Sequence, residues 1–521
     1  MRALPGSALT PAASGVAGPP RGALLPALAA IALALPLFTI GLSRDGLRGD
    51  EGIYGLVVGD RLEIEDPKGL TIPAAEYVNK PPLALWTMAA SARLLGLDEA
   101  SLRLPSALWS IVATGALVAL CHRAASVRAS LLAGALLATA PGFLFLHGGR
   151  SATMESWQLA LWTMGMVAIC GASPRYRIRR VALVVAFAAV FLSKGLAGGL
   201  LLALSGTLAG WSPRGSSNES GTPLPLPPGA VLASALLGLV PLLAWWSLRF
   251  ESMDRAGDFL FRDGFVRFTQ GIRSPVAELT ALDRFEPWLR DFGPALLLAA
   301  VALLPAPPAE ARDSRRALRR AALATLVGVS LYQWTTAQPR PWYPYLSYPA
   351  LGLLCALGFD RLTEIRVAGR RTVGIGLAVT LLTGTALLRL DAGRRLAEGA
   401  HRESLADWIA TARAVPGGEV LADPDLALPG QRPREWNRFY LAALPASAWR
   451  LPEPGEDRCV LLVTGNQTLA AKLARDLASN PLALALQAAR ERPLWGLDLC
   501  AGRVRSALAQ RATPGALEGN R

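Results

Sequence analysis

Along the chain, apolar residues gather in runs of about 16 to 22, each long enough as a helix to cross a hydrocarbon core roughly 30 Å thick. The runs predict eleven membrane-spanning helices, over 23–42, 104–121, 128–146, 156–171, 181–192, 195–211, 229–248, 293–306, 321–337, 344–358 and 372–390. The fifth is short for a crossing. PPLALWTMAASARLLG, residues 81–96, is apolar too. Counted as a span, it would reverse the sidedness of every later connection, so it is read as an amphipathic helix lying at the interface. The first run is long for a secretory signal, and no small-residue cleavage site follows before Arg44. It reads as a retained helix behind a cytoplasmic N-terminal segment, 1–22.

After residue 390 the pattern changes. GEVLAD and CVLLVTG predict short strands and TLAAKLARDLAS a helix, so 391–521 is expected to be a small soluble α/β domain joined to a transmembrane domain, 23–390. Gly465 there stands alone, without the glycine spacing that cradles a phosphate. NQT at 466–468 fits a glycosylation acceptor.

Composition agrees with a polytopic membrane protein: 52% of the 521 residues are hydrophobic and 18% charged. A net charge of +14 would suggest nucleic acid in a soluble chain. Here its distribution matters more, because Lys and Arg are retained on the cytoplasmic side. CHRAASVR carries two Arg and no acid, SPRYRIRR four and none, PPAEARDSRRALRR five against two, and FDRLTEIRVAGRR four against two. The fifth connection on that side, SPRGSSNESGTPLPLPPG, is a near-neutral flexible linker. The alternate loop 43–103 is acidic up to Lys80, and 249–292 holds eight acids against seven Arg. The N-terminus is therefore expected inside, with both long loops and the C-terminal domain outside. Cys121, Cys170 and Cys355 fall in spans as apolar filler, and Cys459 and Cys500 share the outer domain, where a disulfide is open to them. Three His without metal-type spacing argue against structural zinc.

The outer loops collect polar groups from five regions of sequence. Loop one holds Asp50, Glu51, Tyr54, Tyr77, Asn79 and Lys80; HGGRSATMESW holds His147, Arg150 and Glu155. SKG supplies Lys194, the loop before the eighth span Arg262 and Arg267, and QPRPWYPYLSYP Arg340, Tyr343 and Tyr345. Cationic side chains in a partly dry setting bind an anionic headgroup strongly, and a carboxylate beside them can take a proton or hold a divalent metal. A polyprenyl-phosphate sugar suits such a set. Each residue alone has a plainer reading: snorkelling for Lys or Arg, complementing a helix dipole for Glu155, loop solvation for Asp50 and Glu51, and an aromatic belt for PRPWYPYLSYP. Lys194, flanked by apolar runs, is costly unless it lies at a turn or has a partner.

GDEGIYGLVVGD, YVNKPPLALW, RLPSALWS, SATMESW, SKG, FVRF and PWYPYLSYP occur in the order found in bacterial membrane glycosyltransferases of the C fold. Over roughly residues 23–360 the chain resembles the aminoarabinose lipid A transferase and protein O-mannosyltransferase group. The resemblance implies an inverting transfer from a polyprenyl-phosphate sugar to a lipid, glycan or protein acceptor at the outer face of a bacterial inner membrane, with no nucleic-acid partner. Asp50 would be the catalytic carboxylate and Glu155 a second acidic position, usually Asp. Lys80 and Arg267 would hold the donor phosphate, and Tyr54, Tyr77, Tyr343 and Lys194 would border the donor pocket. Three positions depart from the pattern: Ile53 where Arg is common, Asn79 where Glu is frequent before KPP, and Gly264 where His is frequent before FVRF. The last two shorten a metal-ligand set, leaving Asp50 and Glu155 as the carboxylates for a divalent ion, which stays open. A transporter or flippase of a lipid-linked substrate is the alternative, and a membrane-anchored scaffold leaves loop one unexplained. A transporter places ionisable groups near the bilayer midplane, whereas these lie toward one side.

Overall fold

The computed structural model describes residues 24–43, 46–63, 77, 79–171, 175–211, 225–249, 281–304, 313–335, 340–364 and 372–400, and four strands between 418 and 498. Its helices are α1 Leu24–Thr39, α2 Asp50–Arg61, α3 Leu83–Leu95, α4 Glu99–Cys121, α5 Val127–Ala138, α6 Pro141–Phe145, α7 Glu155–Cys170, α8 Tyr176–Lys194, α9 Leu196–Gly210 and α10 Pro228–Arg249. They continue with α11 Ala281–Phe292, α12 Leu296–Leu303, α13 Asp313–Thr335, α14 Tyr348–Glu364 and α15 Thr372–Ala400.

Over its described residues, each of the eleven expected spans is mostly helical. Three helical stretches, Glu99–Cys121, Pro228–Arg249 and Thr372–Arg394, are long and apolar enough to cross a membrane by length and composition. Two expectations change. The third run is broken at Thr139 and Ala140, because Pro141 lacks an N–H and starts the separate α6. The fifth is a full helix of 19 residues, because the charged YRIRR turn belongs to it. The segment at 81–96 is helical, as α3.

α4 lies among α1, α5 and α7; α8 packs on α7 and α10; α14 packs on α5 and α12. Leu24, Leu28, Leu236, Val240, Val373, Leu377 and Leu387 project outward on α1, α10 and α15. That outward apolar surface suits lipid, where the chain's polar backbone is satisfied within each helix.

The two ends of the bundle are chemically distinct. At one end, arginines from the basic connections donate to carbonyls at helix C-termini: Arg179 to Ala168 at 3.0 Å, Arg319 to Leu303 at 3.1 Å, Arg361 to Leu304 at 2.7 Å and Arg320 to Ala209 at 3.4 Å. Each satisfies an acceptor left over where a helix stops and meets the negative end of its dipole. The residues read as topological charge are thus also caps. At the same end the Asp360 carboxylate accepts from the Ser126 N–H and hydroxyl at 2.6 and 2.5 Å, tying α14 to the start of α5.

The opposite end gathers residues 37–43, 46–51, 80, 103, 147–155, 194 and 284–291. Here α11, which the sequence left within a loop, lies over α6 and a 3₁₀ turn at Tyr343–Ser347. Asp291 on α11 is fully buried and accepts from the Gly142 N–H at 2.9 Å and from the Tyr348 hydroxyl. The Trp288 indole donates to Ser347 at 2.9 Å. These bonds fix the chain around 340–348.

After residue 400 the described residues form a four-stranded sheet, β1 Gly418–Ala422, β2 Cys459–Thr464, β3 Ala483–Leu486 and β4 Leu494–Asp498, in the order β1-β2-β4-β3. β1 and β2 are the two strands expected from GEVLAD and CVLLVTG and pair in parallel, Gly418 opposite Cys459. The other two neighbours pair antiparallel. The expected helix at 468–479, NQT and Cys500 lie outside the described residues. Cys121, Cys170 and Cys355 are buried and free.

Candidate active site

Loop one is held by its second acid. Glu51 is buried and takes Arg103 of α4 in a two-pronged pair, Nε to Oε1 at 2.8 Å and Nη2 to Oε2 at 2.9 Å. It also accepts from the Ala152 N–H at 2.7 Å and the Arg48 N–H at 2.9 Å. Arg103 donates further to the carbonyls of Leu42 and Gly46 at 2.7 and 2.9 Å. The Arg of RLPS thereby staples the exit of α1 to the first turn of α2 and leaves few donors unspent. Glu51 is occupied on both oxygens and is structural.

Asp50 opens α2 and its carboxylate is 42% exposed. Its Oδ2 lies 3.6 Å from His147 Nε2, and the other ring nitrogen, Nδ1, lies 3.0 Å from Glu155 Oε2. The two contacts are ion-pair approaches and not well-aligned hydrogen bonds. Glu155, the buried first residue of α7, gives its other oxygen to Lys194. Lys194 ends α8 immediately before Gly195, whose φ of +95° only glycine adopts without strain. The ammonium between two apolar runs thus lies at a turn and has a partner. Trp342 covers His147, its ring parallel to the imidazole within 6° and 4.0 Å from it. The HGGR glycines make the close fit: a β-carbon on Gly149 would stand 2.2 Å from the Phe38 ring, and one on Gly148 2.2 Å from the Phe143 carbonyl.

The result is a row, Lys194, Glu155, His147, Asp50, in which positive and negative groups alternate, with the two middle members buried and Asp50 the most exposed. Lys80 acts on Asp50 as a nearby positive charge. Tyr54, one turn after Asp50, is buried with its phenol beside the Asp50 carboxylate, and Tyr77 is close by. Tyr343 packs instead on Tyr332, ring centroids 5.2 Å apart. Arg340 stands over Trp342. Arg150 is used elsewhere, donating to Leu37 and Gly41 carbonyls at the end of α1, and Tyr345 is fully buried in the core. Ile53 is half-buried against that core. Arg262, Gly264 and Arg267 lie outside the described residues.

Trp342 is the site residue sequence reasoning did not single out, and His147, collected there with the outer polar groups, was given no role of its own. Trp342 belongs to the PRPWYPYL segment already marked, and His147 to the HGGR turn; neither spacing says that the two stack.

A metal shared by Asp50 and Glu155 does not fit this arrangement. The imidazole already stands between the carboxylates and Lys194 holds the second oxygen of Glu155. Among the described residues no group of three or more His, Cys, Asp or Glu could hold an ion.

Burial alone would favour neutral His147, but the Glu155 charge and the contacts with Asp50 and Glu155 outweigh it, raising the imidazole from 6.5 to about 9. Contact with His147 is the chief cause that lowers Asp50, against burial and with help from the His147 and Lys80 charges. A raised base contributes stability that is complete below 6.5 and lost as pH climbs through about 9. The lowered Asp50 contributes stability present above 3.8 and lost as pH falls below it. In detergent, the unfolding midpoint is therefore expected to fall between pH 6.5 and 9 more steeply for wild type than for His147→Gln. Parallel curves for the two proteins would contradict the charged pairing.

Residues 79–245 match the family model described as dolichyl-phosphate-mannose-protein mannosyltransferase. That stretch includes Lys80, His147, Glu155 and Lys194 but not Asp50 or Trp342. No curated protein matches the chain. Among solved structures, ArnT from Cupriavidus metallidurans bound to undecaprenyl phosphate aligns with a TM-score of 0.55 at 17% identity, over 91% of this chain and 98% of that one. The apo state of ArnT from Cupriavidus metallidurans aligns with a TM-score of 0.52 at 16% identity and the same coverage. The chain thus resembles the C-fold membrane glycosyltransferases of the aminoarabinose transferase and protein O-mannosyltransferase group, in fold along most of its length and in sequence across residues 79–245.

Proposed function

We propose that this membrane protein is an inverting glycosyltransferase that moves a sugar from a polyprenyl-phosphate carrier to a lipid, glycan or protein acceptor at the outer face of a bacterial inner membrane, as in lipid A modification or protein glycosylation. The observation that carries the reading is the half-exposed Asp50 carboxylate, pinned by His147 on one side and beside Lys80, at one end of a bundle with an apolar exterior. The undecaprenyl phosphate in the ArnT structure supports a lipid-phosphate donor.

In this reaction the acceptor oxygen attacks the anomeric carbon from the face opposite the phosphate. The new C–O bond forms as the sugar–phosphate C–O bond breaks, and the polyprenyl phosphate leaves with the electron pair. Asp50 takes the proton of a hydroxyl acceptor; an acceptor phosphate is already ionised and needs only alignment. Lys80 and Arg267 stabilise the charge that develops on the departing phosphate. Tyr54, Tyr77, Tyr343 and Lys194 border the sugar, and the part of the chain after residue 390 lies on the periplasmic side.

The transporter reading gains no support, because the charged row belongs to helix ends and not to the middle of spans. Mass spectrometry of envelope lipids, glycans and proteins from a deletion strain is expected to show one sugar mass missing from one class of molecule. Profiles identical to wild type would count against the proposal.

A further inference from the structure

Resting on that reading, we propose that His147 is the positioning residue of the transfer reaction: it aims the Asp50 carboxylate at the acceptor by holding its inner oxygen, leaving the outer oxygen to the substrate. The imidazole is 11% exposed and faces a carboxylate at each nitrogen, Asp50 at Nε2 and Glu155 at Nδ1. A protonated ring can donate to both at once, with one donor at each nitrogen of a rigid plane. Three restraints fix that plane. Trp342 stacks flat on one face. Glu155 holds Nδ1 and is itself held by Lys194. The two glycines after His147 let the turn press against Phe38 and Phe143.

Apart from the Tyr54 phenol beside it, Asp50 has little restraint of its own. It is the first residue of a helix with no side-chain cap bond, its carboxylate is 42% exposed, and the next residue, Glu51, is committed to Arg103. His147 therefore transmits the rigidity of α7, α8 and the 340–348 segment to the exposed Asp50 carboxylate. The 3.6 Å separation has room to shorten, as contacts of this kind do when substrate closes the site. His147 does not touch the reacting atoms; it acts through Asp50.

The test separates the two nitrogens. Gln places an amide donor near the position of Nε2 and Asn near that of Nδ1, so His147→Gln keeps the hold on Asp50 and His147→Asn keeps the hold on Glu155. In transfer assays with the full-length protein in liposomes and a polyprenyl-phosphate sugar as probe, His147→Ala and His147→Asn are expected to lose about 10- to 100-fold in kcat with little change in KM. His147→Gln is expected to recover to within about threefold of wild type. Groups that act as a unit are strongly non-additive, so adding His147→Ala to Asp50→Asn should lower kcat no further. Wild-type kcat for His147→Ala, rescue by Asn and not Gln, or losses that multiply in the double variant would overturn the inference while the transferase reading stands. Absence of transfer by the wild-type protein itself would overturn the transferase reading, and His147's role with it. Trp342→Ala, which leaves the imidazole in place but removes its stacking partner, guards against a folding defect: a kcat loss smaller than that of His147→Ala is expected, and wild-type kcat would count against the inference.

Discussion

Asp50→Asn is expected to fold and insert as wild type does yet to lower turnover by about 10²-fold or more. The amide has the carboxylate's shape, and the side chain it replaces is 42% exposed at a helix start, so the buried neighbours it affects are His147 and Tyr54. The change removes the charge that accepts a proton and pairs with the imidazole. KM for the donor should move little, because Lys80 and Arg267 are assigned its phosphate. Unchanged turnover in a correctly folded variant would remove Asp50 from the chemistry.

The neighbouring acid should behave in the opposite way. Replacing Arg103 by Met, or Glu51 by Ala, breaks a buried ion pair and leaves one charge without its partner, at a cost of about 3–5 kcal/mol. Glu51 also serves the Ala152 and Arg48 N–H groups, so its loss unties three segments at once: the exit of α1, the first turn of α2 and the turn before α7. The expected result is a markedly lower unfolding midpoint in detergent, with activity falling in proportion to folded protein and to the misplacement of Asp50. A wild-type midpoint for both variants would contradict the structural role. Two adjacent acids in GDEGIYG thus separate cleanly: one is expected to carry turnover with stability intact, the other stability.

That separation was only partly legible in the sequence. The helices were readable because lipid thickness dictates the length of an apolar run, and the sidedness expected of them rests on basic connections alternating with acidic ones. The 81–96 segment was read as a helix and is one, α3, while its expected place at the interface rests on the parity of crossings. α11 was missed because ALDRFEPWLRDF mixes acids, bases and aromatics and resembles a loop; it is helical because Asp291 and Trp288 have buried partners on α6 and around Ser347. YRIRR was trimmed from α8 because hydropathy discounts arginines whose real use is to cap a neighbouring helix, as Arg179 does.

At the site, chemistry was legible where one residue type has few other uses. Asp50, Glu155 and Lys194 were marked as a set, and the structure joins them in one row. What joins them was not legible. His147 stands between the two carboxylates, and Trp342, from a distant segment, stacks on it. No spacing in the chain encodes that meeting, because it depends on how α7, α8 and the 3₁₀ turn pack. The openness of Asp50 and Glu155 to a metal was likewise a consequence of listing acids without the cations folded between them.

The most direct test of the account uses a polyprenyl phosphate carrying a radiolabelled sugar, the purified protein in liposomes, and an envelope fraction from the deletion strain as the source of acceptor. The account predicts that wild type moves the label out of the polyprenyl-phosphate pool into one acceptor class and that Asp50→Asn leaves it there. Label that stays on the carrier with both proteins, or moves equally with both, would contradict it.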